Sequence, residues 1–300
     1  MYVITGATGN TGSEVVERLL AAGKKVKAIS RSAENLQKFV DKGAIATIGE
    51  LEDTSFLTKT FEGATAIYAV IPPKWDLQED WRGFMRRIGN SIAEAIEKSG
   101  VKNVVVLSSN GAQLEEGAGP VSGLHEFEER LKQIEGLNIM ALRAGYFMQN
   151  FYGLVPMIEN MGMFGYSLKA DVKTPIVHTK DIGEVAAKHL LNLNFEDFNY
   201  VFVSGAEDLT MNEVAEILGK GIGKPNLKYM QFSREDAING MIQNGIPQTI
   251  AEGYDELFNS LNEGKYLNNY ERTSESTTPT TLKSFAENEF VHAFKQKQEA

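Results

Sequence analysis

Three glycines spaced three residues apart, Gly6, Gly9 and Gly12, lie in the run Gly6-Ala-Thr-Gly-Asn-Thr-Gly12. Their chemistry is that of a phosphate cradle. The apolar run Tyr2-Val-Ile-Thr5 precedes them, and Val15, Val16, Leu19 and Leu20 follow at helical spacing, which reads as strand, tight loop, helix. Glycines in that context let a pyrophosphate approach backbone N–H groups at the positive end of the helix. Gly6, Thr8, Gly9, Asn10, Thr11 and Gly12 are therefore expected to hold a dinucleotide, although the spacing is GxxGxxG rather than GxGxxG. About twenty residues further on, a carboxylate would suit a ribose 2′-hydroxyl and a guanidinium a 2′-phosphate. The chain reads Ile29-Ser-Arg-Ser32, so Arg31 points to NADP(H) in preference to NAD(H); the bland alternative is a solvated charge at a strand end. Glu50 and Leu51, which follow the third strand run, fall where such folds hold the adenine.

The elements that position this loop recur along the chain. Apolar runs at Val26–Ile29, Ala44–Ile48, Ala66–Ile71, Val101–Leu107 and Leu137–Leu142 alternate with helical patterns, notably Asp80–Lys98 and His125–Ile134. Strands without polar alternation are buried on both faces, so the pattern predicts an α/β fold, a doubly wound parallel sheet of the Rossmann type. After Asn150 the rhythm changes: Gly, Met and aromatic residues become dense, strand runs appear at Thr174–His178 and Tyr200–Ser204, a helix starts from Asp181, and the remainder is mostly helical. The expected division is a dinucleotide-binding domain over 1–150 and a smaller, mostly helical substrate lobe over 151–300, partly interleaved with the last strands of the sheet.

Composition narrows the function. The 300 residues are 42% hydrophobic and 23% charged, an ordinary globular balance. Thirty basic against forty acidic residues give a net charge of −10, which argues against nucleic acid or an anionic membrane surface as a partner. With no cysteine and only four histidines, neither a disulfide nor a thiolate or zinc site is expected. No apolar run reaches the roughly 18 residues of a membrane span, and the first strand run begins at residue 2, so neither a membrane anchor nor a signal peptide is expected. A cytoplasmic location fits these readings.

The glycine run, together with Ala28-Ile-Ser-Arg31, Phe61-Glu-Gly-Ala64, Val101-Lys-Asn-Val104 and Leu142-Arg-Ala-Gly-Tyr-Phe-Met-Gln-Asn150, resembles the NmrA-like atypical branch of the short-chain dehydrogenase/reductases. Within it the chain is most similar to the NAD(P)H:quinone oxidoreductase type 2 and azoreductase-like group. The likeness also takes in Ile176-Val-His-Thr-Lys-Asp-Ile-Gly183 and Thr278-Pro-Thr-Thr-Leu-Lys-Ser-Phe285, and it departs at Gln149, where relatives often carry Glu. The larger superfamily uses Tyr-x-x-x-Lys, in which the lysine lowers the phenol pKa for proton exchange. No tyrosine here has Lys four residues later, and the register of the pair falls on Val121 and His125. Ordinary alcohol dehydrogenation and sugar epimerisation are thereby disfavoured. Two readings remain. Quinones and azo compounds accept hydride without a strong proton donor; alternatively the fold keeps the cofactor and acts as a redox sensor that binds another protein.

On the first reading the resemblance implies catalytic roles for His125, which lies at the family's active-site register with Glu129 four residues on, and for Ser109, which resembles the superfamily's substrate-orienting serine. An exposed helix-end histidine and a helix-capping serine are the plain alternatives. Ile71 and Pro72 at the end of the fourth strand, Ser108 at the end of the fifth, and Tyr146 complete the expected cofactor contacts. Pro73, Asn110, Phe147, Asn150, Phe151, Met163 and Phe164 are the expected substrate contacts, an aromatic pocket in which a flat quinone-like molecule would stack; lobe packing is the competing explanation. The stripe Trp75, Trp81, Phe84 and Met85 reads as core or interface, which leaves a protein partner or a homodimer open. His178, His189 and His292 are assigned structural roles.

Overall fold

The first strand, β1 (Tyr2–Ile4), carries three buried side chains in a row and stops at Gly6, whose φ of +58° turns the chain toward α1 (Asn10–Ala21). In a computed structural model that describes residues 1–77 and 80–298, the elements continue as β2 (Val26–Ser30), α2 (Gln37–Val40), β3 (Ile45–Ile48), α3 (Thr54–Phe61), β4 (Ala66–Ala69), α4 (Trp81–Ser99), β5 (Asn103–Ser109), α5 (Pro120–Lys132), β6 (Asn138–Ala144) and β7 (Tyr146–Phe147). There follow α6 (Val155–Met161), β8 (Met163–Tyr166), β9 (Thr174–Val177), α7 (Thr179–Asn192), β10 (Phe198–Val203), β11 (Asp208–Leu209), α8 (Met211–Gly221), β12 (Lys228–Gln231), α9 (Arg234–Gln243), α10 (Gln248–Asn262), α11 (Leu282–Phe285) and α12 (Val291–Gln298).

Seven strands form one sheet in the order β10-β6-β5-β4-β1-β2-β3. It is a parallel, doubly wound sheet flanked by helices: Tyr2 lies opposite Val26 on one side and Ala66 on the other, and Ile67 lies opposite Val104. The chain runs outward from β1 to β3, then returns to lay β4 on the other side of β1, which makes the β1–β4 edge the topological switch point where such sheets bind ligands. Val3, Ile4, Ala28, Ile67, Val104 and Val105 have no exposed surface, as two-sided burial requires. The outermost β3 differs. Ile45 and Ile48 are 48% and 46% exposed, because an edge strand lacks a neighbour on one side.

The chain divides into two compact units that interleave along the sequence. The first unit comprises 1–115, 121–143 and 182–201; the second comprises 116–120, 144–181 and 202–300. Residues 182–201 belong with the first unit because α7 seats on α1: a Cβ at Gly183 would meet the Glu14 Cβ at 2.6 Å and the Thr11 carbonyl at 2.8 Å. The hydrogen bond from Ile139 N to the Asp197 carbonyl (2.7 Å) carries the chain on into β10 beside β6.

The second unit holds a three-stranded sheet, β11-β9-β7, and a two-stranded one, β12-β8. The Thr210 hydroxyl and the Glu213 carboxylate cap the start of α8 reciprocally. The Ser/Thr-rich stretch at 271–281 is tied down. Arg272 donates to the carbonyls of Gly205 (2.7 Å) and Ser204 (3.1 Å) and pairs with Asp208, while Asp181 accepts from both the N–H and the hydroxyl of Thr280 (3.0 and 2.7 Å).

Candidate functional site

The glycine loop is fixed from below by Thr5, whose buried hydroxyl accepts from Val70 N–H (2.8 Å) and so locks the end of β1 to the chain leaving β4. Gly9 closes the turn, its N–H reaching the Gly6 carbonyl at 2.9 Å. At Gly12 no other residue fits, since a Cβ there would stand 2.2 Å from the Gly6 oxygen. The first helical bond runs from Ser13 N to Gly9 O, and Gly9 supplies no side-chain cap. The N–H groups at the start of α1 are therefore free to face an anion, and Thr8, Gly9 and Asn10 around them are exposed. Thr11 sits differently. It is 6% exposed, and its hydroxyl accepts from Tyr68 (3.1 Å), a fully buried phenol whose pKa burial pushes up.

Arg31 directly follows β2, is exposed, and has no hydrogen-bond or ion-pair partner among the described residues. At that turn Ser32 N–H donates to the Ser30 hydroxyl (3.2 Å). Past β3, Glu50 is exposed and Leu51 half-buried. An uncapped helix start, a loop that admits only glycine and a free guanidinium at the end of β2 together fit a dinucleotide bearing a 2′-phosphate.

Beyond β4, Ile71 is buried, Pro72 half-buried and Pro73 exposed. At the end of β5, Ser108 is 2% exposed and donates its hydroxyl proton to Glu128 on α5 (2.5 Å), so that proton is not available for the cofactor contact expected of it. Glu128 is in turn gripped by Arg143, through Nε at 3.2 Å and a terminal nitrogen at 2.7 Å, and the guanidinium stacks 4.2 Å from the centre of the Tyr200 ring. Motif reading missed this buried cluster, because three residues from three separate elements carry no common spacing.

Ser109 is half-exposed. Asn110 has no exposed surface, and neither atom of its amide finds a partner, so a buried amide at the carboxyl edge of the sheet has unused hydrogen-bonding capacity. His125, half-exposed on α5, brings Nδ1 to 2.9 Å from the Ala112 carbonyl. That oxygen can only accept, so Nδ1 carries the proton and the Nε2 lone pair is left for another partner. Val121, one turn earlier on α5, is buried.

In the second unit, Tyr146 begins β7 and brings its hydroxyl to 3.2 Å from that of Tyr166 at the end of β8. Phe147 and Met163 are half-exposed and Asn150 exposed, as surface contacts would be. Phe151 and Phe164 are not placed for the ligand stacking expected of them: both are fully buried, Phe151 beside Tyr146 (ring centres 5.5 Å) and Phe164 beside Tyr229 (5.4 Å). Their rings support the two tyrosines instead. His178 is buried, with Nδ1 accepting from Lys180 N–H (3.0 Å) and Nε2 donating to Glu289 (2.9 Å), a structural bond. Glu289 also accepts from Tyr152, whose pKa is pushed up to about 12 by burial and by that carboxylate. Among the described residues no group of three or more His, Asp or Glu could hold a metal ion, and no helix is long and apolar enough to cross a membrane.

Comparison with known proteins adds the following. The model of the NmrA-like family matches residues 2–289. The NAD(P)H azoreductase of Xenophilus azovorans is 27% identical over 293 residues, 98% of each chain, and quinone oxidoreductase 2 of Escherichia coli is 23% identical over 84% of this chain and 85% of its own. Among solved structures, the E. coli NADPH-dependent quinone oxidoreductase complexed with NADPH superposes with a TM-score of 0.81 at 22% identity, covering 97% of this chain and all of that one. The Citrobacter sp. triphenylmethane reductase complexed with NADP(H) gives 0.78 at 20% identity, covering 99% of both.

Proposed function

The chain belongs to the NmrA-like family, and from that premise we propose that it is an NADPH-dependent oxidoreductase acting on quinone or azo-type acceptors. The observation that carries the proposal is the free Arg31 guanidinium following β2, together with the glycine-only loop at Gly12. NADPH supplies a hydride when bound; with one proton from solvent, the two electrons convert a quinone to its hydroquinone and leave NADP⁺. The chain's own residues bind and orient. The N–H groups at the start of α1 receive the pyrophosphate, Arg31 the 2′-phosphate, and Glu50 and Leu51 the adenine side. Ile71, Pro72, the Ser108 backbone and Tyr146 fix the nicotinamide end. Ser109 and the Nε2 of His125 face the acceptor, and Pro73, Asn110, Phe147, Asn150 and Met163 bound it. Hydride acceptance by such compounds needs no Tyr-x-x-x-Lys pair, which suits a chain whose α5 places a buried valine at the tyrosine position.

The azoreductase and quinone oxidoreductase similarities support this reading. The test is NADPH oxidation by the purified protein with a panel of small quinones and azo dyes. Acceptor-dependent oxidation is the expected result; tight NADPH binding with no turnover on any acceptor overturns it. A second reading, a redox sensor, is favoured by the missing catalytic pair alone and predicts a protein partner whose capture depends on NADPH versus NADP⁺. Capture of nothing in either state removes it.

A further inference from the structure

Tyr146 and Tyr166 are held by the same device. Each follows a glycine whose missing side chain lets its strand approach a neighbour: a Cβ at Gly145 would stand 2.5 Å from the Pro175 carbonyl, and one at Gly165 would stand 2.2 Å from the Met230 carbonyl. β7 is thereby pressed against β9 and β8 against β12. The rings are wedged as well, Tyr146 against Phe151 (5.5 Å) and Tyr166 against Phe258 (4.9 Å) and Phe164 (6.4 Å). Behind them the Tyr229 hydroxyl donates to the Leu168 carbonyl at 2.6 Å, fixing the chain that follows Tyr166. Two partly buried phenols meet at 3.2 Å.

Only one of two hydroxyl protons can lie between two oxygens, so the pair always retains one proton for a third acceptor. Either hydroxyl can donate in that contact, and the arrangement in which Tyr166 donates leaves the spare proton on Tyr146. Burial keeps the Tyr146 pKa above the ordinary phenol value, against the smaller opposing effect of its bond to Tyr166. Tyr166 is pushed further in the same direction, first by burial and then by its tyrosine neighbours. A phenol so placed stays neutral through the physiological range, where it donates a hydrogen bond without giving up its proton.

We infer that Tyr146, backed by Tyr166, is the hydrogen-bond donor for the carbonyl oxygen of a quinoid acceptor, the atom on which negative charge develops as hydride arrives. The inference rests on the reductase reading and narrows it, because an oxygen acceptor suits this donor better than an azo nitrogen. Tyr146 is the catalytic residue of the pair in the sense that it touches substrate; Tyr166 is a positioning residue that acts through it.

The test uses p-nitrophenolate as a stand-in for the hydroquinone anion, titrated spectroscopically against full-length protein with and without NADP⁺. Wild type is expected to bind it with a spectral shift, Tyr146→Phe to weaken binding about tenfold or more and lose the shift, and Tyr166→Phe to weaken it by a smaller factor. Both variants keep their rings, and an unchanged far-ultraviolet circular dichroism spectrum and Tm without ligand certify their fold. In turnover, Tyr146→Phe lowers kcat on quinones by a similar factor and leaves the pH profile flat between about pH 6 and 9, since a neutral donor does not titrate there. Equal phenolate binding and equal quinone turnover in wild type and Tyr146→Phe overturn the inference while the reductase reading stands. Absence of turnover on every acceptor overturns the reductase reading, and phenolate binding still judges the donor pair on its own.

Discussion

Ser108 and Glu128 share a 2.5 Å hydrogen bond in a place where neither has more than 2% of its surface exposed. Arg143 completes the cluster with two bonds to the same carboxylate, so a buried negative charge is matched by a buried positive one and both are hydrogen-bonded. Such a pair adds little beyond what well-packed apolar residues would give, but breaking it strands a charge. Glu128→Gln is expected to destabilise the protein by about 3 kcal/mol or more, read by urea unfolding. Replacing both ions, Glu128→Leu with Arg143→Met, should recover most of that loss. A double variant no more stable than the single one would show that the carboxylate is needed for something other than neutralising Arg143.

Gly12→Ala forces a Cβ to within 2.2 Å of the Gly6 oxygen, a backbone atom that cannot swing away. The loop must open, and the expected outcome is loss of the shift in Tm that NADPH gives wild type, together with a lower Tm without ligand. Calorimetry with and without NADPH measures both.

Arg31→Asp removes a free guanidinium and puts a carboxylate where a 2′-phosphate would sit. NADPH affinity should fall about ten- to hundredfold, as expected for charge-assisted hydrogen bonds, while NADH affinity changes little or rises. Titration calorimetry with the two nucleotides makes the comparison, and equal losses would make Arg31 a bystander.

Alkaline stability follows from the tyrosines. Burial raises the pKa of Tyr68, Tyr146, Tyr166, Tyr229 and Tyr254 above the ordinary value of 10.0, and Tyr152 to about 12. Above pH 10 the unfolded chain loses these protons while the folded one keeps them, so ΔG of unfolding is flat with respect to these groups below that pH and falls as pH rises beyond it. Urea midpoints measured from about pH 8 to 11 should show the decline beginning near 10. Tyr254→Phe should make it shallower, and an unchanged slope would mean that the buried phenols do not control it.

What the sequence discloses is unequal. The continuous apolar runs of β1, β4 and β5 and the glycine loop identify the sheet and its cofactor edge, because two-sided burial and a backbone-only anion site both leave marks on residue type. β12 left no such mark. Only Tyr229 of its four residues is buried, and the strand exists because Gly165 lets β8 come close. The return of 182–201 to the first unit is silent for a related reason, since it comes about through packing at Gly183 and not through any change in composition. Aromatic density could not separate the partly buried Tyr146, Phe147 and Met163 from the fully buried Phe151 and Phe164. Tyr166 passed unnoticed among them, although its hydroxyl is the one that Tyr146 meets.

The strand order has a consequence for synthesis. β6 ends at Ala144, but its outer neighbour β10 does not begin until Phe198. While the intervening chain is being made on the ribosome, β6 stands as an open sheet margin lined by Ile139, Ala141 and Leu142, a template for pairing with other nascent chains. A chain terminated at 150 would keep that margin permanently. Dissecting the protein there would therefore yield a self-associating fragment and not an isolated nucleotide-binding module.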